Sequence, residues 1–374
     1  MNCFELEAFL IDEIRRKGKI TFKDFMEDVL YHPSWGYYNS SYQKVGKGGD
    51  FYTSPHVSWV FGKTLAKQLI EMADHLGWDD LIFLEYGGGE GYLAKDILEA
   101  IWELRPDQAK ALTYYLLERS LNHQSSQKEL LKDLQAQVKW VNNLEEVSNG
   151  KQIKAIVFSN ELIDAFPVHR VKLLNGELKE IYVEYQDAFF ETFGELSDPM
   201  LGEYFSQLDF HLEEGQEAEI NLAAVSWLKD LGQYLQKGYI ITIDYGYLLP
   251  ELKFPHRFAG TVMCYSKHQS DDKPLEKVGL KDISSHVNFT ALMEYGKQFG
   301  FKVAGYTNQM KFLVGLQIGD WLVNPSLNDL EKQKLSMALK ELLMPEKMGE
   351  RFKVLIQKKG TDESLSISGL KGFS

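Results

Sequence analysis

Two cysteines, Cys3 and Cys264, are all that this 374-residue chain carries, and no CxxC pair occurs. That count argues against a disulfide scaffold and against a thiolate zinc site. No cluster of histidine, cysteine and carboxylate has metal-ligand spacing either, so no metal is expected. Long apolar runs are missing: none approaches the roughly 18 residues of a membrane span, and no membrane partner is expected. The opening residues carry Glu5, Glu7, Asp12 and Glu13 in an amphipathic pattern, where a signal peptide needs a basic start and an unbroken apolar stretch. Positive charge is in deficit, with 41 basic against 54 acidic residues and a net charge of −13. A nucleic-acid partner needs a basic stripe to track phosphates, and none is available. These absences lead to the expectation of a soluble, reduced, cytoplasmic protein whose acidity would tolerate a cationic substrate or a protein partner. Oligomeric state has no signal in the sequence.

What is present is ample core material, 44% hydrophobic and 13% aromatic residues, in a chain longer than the usual single core. Residues 4–16 and 21–31 read as helices, the second with Thr21 as N-cap. An aromatic loop, His32 to Tyr38, and a glycine-rich stretch, Gly46 to Pro55, come next. Helical periodicity returns over 57–76, with Phe61, Leu65, Leu69 and Met72 on one face. Apolar runs then alternate with helices: 81–85, 114–118, 138–141, 155–158 and 239–244, with helices over 93–104, near 126–135 and over 223–236. That alternation predicts an α/β fold with a doubly wound, mostly parallel sheet. Val171 to Leu196 alternates around Asn175-Gly176, a type I′ hairpin signal. Residues 246–290 read as irregular, and 302–316 and 351–358 as final strands. The expected organisation is an N-terminal helical and lid region over 1–77 and a core over 78–374, with insertions at about 169–222 and 246–300.

The first run ends in Glu85-Tyr86-Gly87-Gly88-Gly89-Glu90-Gly91. Glycines are required where a backbone turns sharply and a ligand comes within contact distance. A glycine triplet alone also serves ordinary strand-to-helix turns. Here a strand precedes it, a helix follows, and Glu118 ends the second strand, where a carboxylate can accept both hydroxyls of a ribose. The nicotinamide fingerprint G-x-G-x-x-G is not met, because the third glycine falls one residue early, at Gly91, and Tyr92 takes its place. S-adenosylmethionine has no pyrophosphate to seat on a helix N-terminus and suits this loop better than NAD.

Several separated segments together resemble the MidA family, whose eukaryotic members include a mitochondrial complex I assembly factor that methylates an arginine. They are Gly49-Asp50-Phe51-Tyr52-Thr53-Ser54-Pro55, the loop from Glu85 to Gly91, Ser159 to His169, Asp244-Tyr245-Gly246, and Gly260-Thr261 with His268. The resemblance covers nearly the whole chain. It implies a class I methyltransferase fold, seven-stranded and Rossmann-like, with S-adenosyl-L-methionine at the strand ends. Two positions depart from the pattern: Asn288 stands where many relatives carry an acidic residue, and Glu90 adds a charge inside the loop. The site residues implied for the cofactor are Glu85, Gly87, Gly89, Gly91, Glu118, Asn143, Leu144 and Asn160, with Asp50, Thr53, Ser54 and Pro55 as a lid.

For the acceptor, Glu161 and Asp164 follow the fourth strand. A guanidinium is always charged and offers five donors, so paired carboxylates would orient it and balance its charge. The plainer alternative makes Asp164 a turn cap and Glu161 a solvated loop carboxylate. Thr53-Ser54-Pro55 equally suits an ordinary cap for a helix beginning near His56. His169 and His268 read as hydrogen-bonded structural residues, and the aromatic residues of 181–205 as a packed insertion. The sequence therefore supports a methyltransferase acting on a protein side chain, with arginine as the named candidate. A small-molecule acceptor, or a scaffold that binds the cofactor without turnover, stays open.

Overall fold

In the computed structural model, residues 3–39, 53–267, 269–362 and 365–371 are described. Contacts divide the chain into two units. The first draws on the described residues of Met1–Phe51, Ile163–Trp227 and Gly246–Tyr295; the second on those of Tyr52–Leu162, Leu228–Tyr245 and Gly296–Ser374.

The second unit is built on the apolar runs. Leu81–Tyr86 (β1), Thr113–Leu117 (β2), Val138–Val141 (β3), Ile153–Asn160 (β4), Leu235–Tyr247 (β5), Lys302–Asn308 (β6) and Phe352–Lys359 (β7) form the path β3-β2-β1-β4-β5-β7-β6 of a sheet that has eight strands rather than the expected seven, the eighth being the two-residue Val287–Asn288 in parallel with Gly246 and Tyr247 at the end of β5. The first five pair in parallel. Only β7 runs against its neighbours. Runs such as Leu81 to Leu84 are apolar throughout because helices cover parallel sheets on both faces, leaving no solvated side to mark with polar residues. Phe83, Ile156 and Ile241 pack with Leu65, Leu69 and Met72 of the helix Trp59–Leu76 and with Leu93, Ile97 and Ile101 of the helix Tyr92–Leu104. Each such fully buried side chain stabilises the fold by about 1.5–3 kcal/mol. The register pairs Tyr86 with Ser159 and Ser159 with Thr242, so β1 and β4 end within a residue of each other while β5 runs on to Tyr247. That alignment brings the glycine loop, the Glu161 turn and Asp244 to one edge of the sheet.

Two expectations for this unit need correction. The stretch 302–316 is not one strand: β6 stops at Asn308, whose side chain accepts from Lys311 N at 2.9 Å and starts the helix Gln309–Gly315. Phe312 and Leu313 of that helix are buried, which a continued strand would have pointed to opposite faces. The helix placed near 126–135 is Leu121–Leu130, capped by Ser120, whose hydroxyl accepts from His123 N.

The first unit keeps the predicted hairpin. Asn175 and Gly176 have φ of 53° and 76°, and Leu174 pairs with Glu177, as a type I′ turn requires. The strand Ile20–Thr21 adds to this sheet opposite Val183 and Tyr182, and Thr21 accepts from Asp24 N at 3.0 Å as the cap of Phe22–Tyr31. Residues 246–290, read as irregular, contain a three-stranded antiparallel sheet of Met263–Ser266, Gln269–Asp271 and Asp282–Ser284. Strands of three or four residues are too short for their alternation to stand out from a loop. Among the described residues no helix is long and apolar enough to cross a membrane.

Candidate cofactor site

The loop after β1 takes backbone conformations that favour glycine, with φ of 67° at Gly87, 52° at Gly89 and 93° at Gly91. Gly87 N donates to Leu117 O at 2.9 Å, which ties the loop to the end of β2. Gly91 N donates to Gly88 O, and Gly91 then opens the helix Tyr92–Leu104. The three positions differ in what a side chain would meet. A Cβ on Gly87 would lie 2.7 Å from Leu162 Cδ1, and one on Gly91 3.1 Å from Gln127 Cγ, whereas one on Gly89 would meet nothing within 4 Å. The loop therefore closes against protein on two sides and faces open space at Gly89.

Carboxylates surround it. Glu118, buried at the end of β2, accepts from Gly89 N at 3.2 Å and from Ser120 N at 2.8 Å, with His123 Nδ1 3.7 Å away. Glu85 lies beneath the loop: a Cβ on Gly88 would stand 3.5 Å from its Oε1, and Tyr114 OH donates to its other oxygen. Burial pushes the Glu85 carboxyl up to about 7, the Tyr114 hydrogen bond acting against this and Glu118 adding to it. Glu90, the extra loop charge, accepts a contact from His56 Nε2 at 3.3 Å, while His56 Nδ1 meets Thr53 Oγ1 at 2.6 Å. The carboxylates of Glu118 and Glu90 at one glycine loop oppose a pyrophosphate and favour a cation. S-adenosylmethionine carries a sulfonium and an ammonium against one carboxylate, so the residues present fit it.

The remaining expected residues fall in distinct places. Asn143 is exposed and spends its amide capping the helix Leu144–Ser148, accepting from Glu146 N at 2.9 Å, while Leu144 is buried. Asn160 ends β4; its Nδ2 donates to Glu161 Oε1 at 3.0 Å, and its Oδ1 is buried without a hydrogen-bond partner among the described residues. Glu161 itself has φ of 52° and its Oε1 also accepts from Ser54 N at 3.3 Å. Asp164 falls in the first unit, its carbonyl accepting from Ser285 N. Thr53, Ser54 and Pro55 open a short helix, Ser54–Val57, earlier than expected. Thr53 makes no side-chain cap there because its hydroxyl is engaged by His56. Ser58 instead caps the long helix, accepting from Val60 N. Ser54 is fully buried and its hydroxyl donates to Gln309 Oε1 at 3.1 Å. Asp50 and His268 lie outside the described residues. His169 meets Glu180 at 2.7 Å in the hairpin sheet, a structural contact. Asn288 accepts from Ala291 N as the cap of its helix, a task an acidic residue would share.

Sequence reasoning missed Gln127. Its fully buried amide donates from Nε2 to Gly89 O at 2.7 Å and accepts from Trp140 Nε1 at 2.9 Å, bracing the loop from β3. A glutamine on a weakly amphipathic helix has no periodic signature, so nothing local could have marked it.

The profile of a family described as S-adenosyl-L-methionine-dependent methyltransferases matches residues 64–307. A Burkholderia thailandensis protein crystallised with S-adenosyl-homocysteine superposes with a TM-score of 0.88 at 30% identity, over 99% of this chain and 95% of that one. Curated relatives include the Danio rerio protein arginine methyltransferase NDUFAF7, mitochondrial, 28% identical over 92% of this chain and 84% of the relative. The Drosophila melanogaster homologue is 26% identical over 92% and 82%. These mitochondrial relatives overturn the expectation of a cytoplasmic location: acidity and the lack of a long apolar run suit a mitochondrial interior equally, so composition does not report the compartment. With the profile matched over more than half of this chain, a mostly parallel eight-stranded sheet and a loop that fits a cationic cofactor, the chain belongs to the MidA family of class I S-adenosylmethionine-dependent methyltransferases.

Proposed function

We propose that the methyl acceptor is a protein arginine and that Glu161 orients it. The observation carrying this reading is the Glu161 turn itself. A carboxylate stands at the carboxyl end of β4, level with the glycine loop, on a residue held at φ 52°. A non-glycine residue in that region costs of order 1 kcal/mol or more, and such strain persists where surrounding contacts impose it, often at functional sites. The names of the curated relatives, protein arginine methyltransferases, support the same acceptor.

S-adenosylmethionine, when bound, supplies a methyl group already activated on a sulfonium, and the remainder leaves as a thioether. The chain's own work is alignment, exclusion of water and charge balance. Gly89 admits the cofactor where a side chain would stand, Gly87 and Gly91 let the loop turn tightly against Leu162 and Gln127, and Glu118 is offered to the ribose hydroxyls. Glu85 supports the loop from beneath, bonded to Tyr114, and Asn160 Oδ1 is an acceptor left for the ligand. Asn143 and Leu144 at the end of β3 flank the same strand edge. Ser54 and Thr53, tied to Glu161 and His56, would flank the site together with Pro55. Glu161 takes guanidinium N–H donors and presents the nitrogen; as its bond to the methyl carbon forms, the carbon–sulfur bond breaks and the proton that nitrogen sheds passes to the Glu161 carboxylate. Asp164, three residues on, is proposed for the same role from its sequence segment alone.

The test is Glu161→Gln, which keeps shape and removes charge. Mass spectrometry of candidate partners with and without the enzyme must first identify a methylated arginine. In Glu161→Gln, affinity for S-adenosyl-homocysteine by calorimetry should stay within about twofold while turnover falls at least a hundredfold, about 2.7 kcal/mol of transition-state stabilisation. Wild-type turnover, or loss of cofactor binding as well, sinks the acceptor role.

A further inference from the structure

Glu161 cannot hold its left-handed conformation by its own preference, and the residues that impose it are on β5. Glu161 N donates to Ile243 O at 2.9 Å, extending the β4–β5 ladder one step past the strand. The next amide, Leu162 N, donates to Asp244 Oδ2 at 3.2 Å, and Tyr245 N donates to Asp244 Oδ1 at 2.9 Å. Asp244 is fully buried, so its carboxylate is a fixed bracket across the end of the strand. Leu162, pinned by that bracket, sends its side chain beneath Gly87, where a Cβ would come within 2.7 Å of Leu162 Cδ1.

From this geometry we propose that Asp244 is a positioning residue that sets the acceptor-side turn and the cofactor loop together. One carboxylate oxygen holds Leu162 N. The held backbone keeps Glu161 at φ 52° with its carboxylate at the strand edge, and it presses the Leu162 side chain against the Gly87 end of the loop. The second oxygen, engaged by Tyr245 N, stops the carboxylate from rotating away. Charge-assisted hydrogen bonds to two backbone N–H groups suit a carboxylate, since an amide offers one acceptor oxygen and would set a donor against the other N–H. The consequence for turnover rests on the role proposed above for Glu161; the consequence for cofactor binding does not.

The substitution that tests this is Asp244→Asn in the full chain, with S-adenosyl-homocysteine as probe, measured well below the unfolding temperature. Affinity should fall at least fivefold, and turnover at saturating S-adenosylmethionine at least tenfold, because both ends of the path lose register. Leu162→Ala removes only the contact with the loop, so it should weaken S-adenosyl-homocysteine binding by a similar factor. The double variant should bind no worse than Leu162→Ala alone, since both changes act through one contact. A merely structural aspartate would lower the melting temperature of Asp244→Asn and leave affinity and turnover unmoved, which overturns the proposal; additive losses in the double variant overturn it too. If Asp244→Asn does not fold, Leu162→Ala still decides: unchanged affinity in that variant removes the path. Wild-type turnover in Glu161→Gln, by contrast, would sink the acceptor reading while leaving the shared effect of Asp244 and Leu162 on cofactor binding intact.

Discussion

The chain breaks its sheet edge twice within reach of the cofactor loop, and the two breaks are made by opposite means. After β1, three residues with positive φ are all glycines, so the turn is intrinsically available and its cost lies in the entropy lost on folding. After β4, the residue with positive φ is a glutamate, so the turn is intrinsically unfavourable and has to be imposed by Ile243 O and the Asp244 bracket. Freedom is used where the backbone faces open space at Gly89, and strain where a charged side chain is held at the strand edge. The first device carries a compositional signature. The second has none.

Gly89→Val breaks the comparison on the loop side with the largest expected effect. Its Cβ meets open space in the protein, so the fold should survive with little change in far-UV circular dichroism, while S-adenosyl-homocysteine affinity drops a hundredfold or more. Retained affinity would show that the open face is not the ligand face. The same change at Gly87 would instead run into Leu162 and should cost stability as well as binding.

A smaller effect is expected from Gln127→Leu, which leaves every ligand-facing group in place. It removes the donor to Gly89 O and strands the Trp140 indole N–H, at about 1–3 kcal/mol for the buried groups left unmade. Affinity should fall about tenfold with a lowered melting temperature, and Glu161-dependent turnover at saturating cofactor should hold. Equal loss of turnover at saturation would mean that loop and turn are not separable in the way the comparison requires.

The smallest effect concerns pH. Because Glu85 is raised from 4.5 to about 7 in the folded chain, the native state holds its proton more tightly than the unfolded state does. Its contribution to stability is fully present below about 4.5 and is lost as pH rises through about 7. Asp96, raised to about 7 by burial, titrates over the same range. Glu85→Gln should therefore flatten only part of the decline in melting temperature between pH 5 and 8, by about 2 °C. A variant that declines as steeply as wild type would place no protonation change at Glu85.

Much of the sheet was legible because buried parallel strands are apolar on both faces: the runs at 81–85, 114–118 and 138–141 fall within a residue or two of the observed strands. The glycine loop was legible for a similar reason, since positive φ and close approach select one residue type. Asn175-Gly176 was legible as well, because a type I′ turn demands left-handed residues in succession. Asn308 was not. It ends a strand and caps a helix within a stretch whose apolar content suits either, and only burial of Phe312 and Leu313 decides between them.

What the sequence by itself determined is the order of elements, the glycine loop after β1 and the acidic residues around it, because these rest on residue type and short-range spacing. What only the tertiary structure decided is which distant groups enforce that local chemistry. Gln127 reaches Gly89 across 38 positions and Asp244 reaches Leu162 across 82. A hydrogen bond between residues so far apart leaves no periodicity in the chain; it exists because the parallel sheet brings the ends of β1 and β4 beside β5 and buries the groups that meet there.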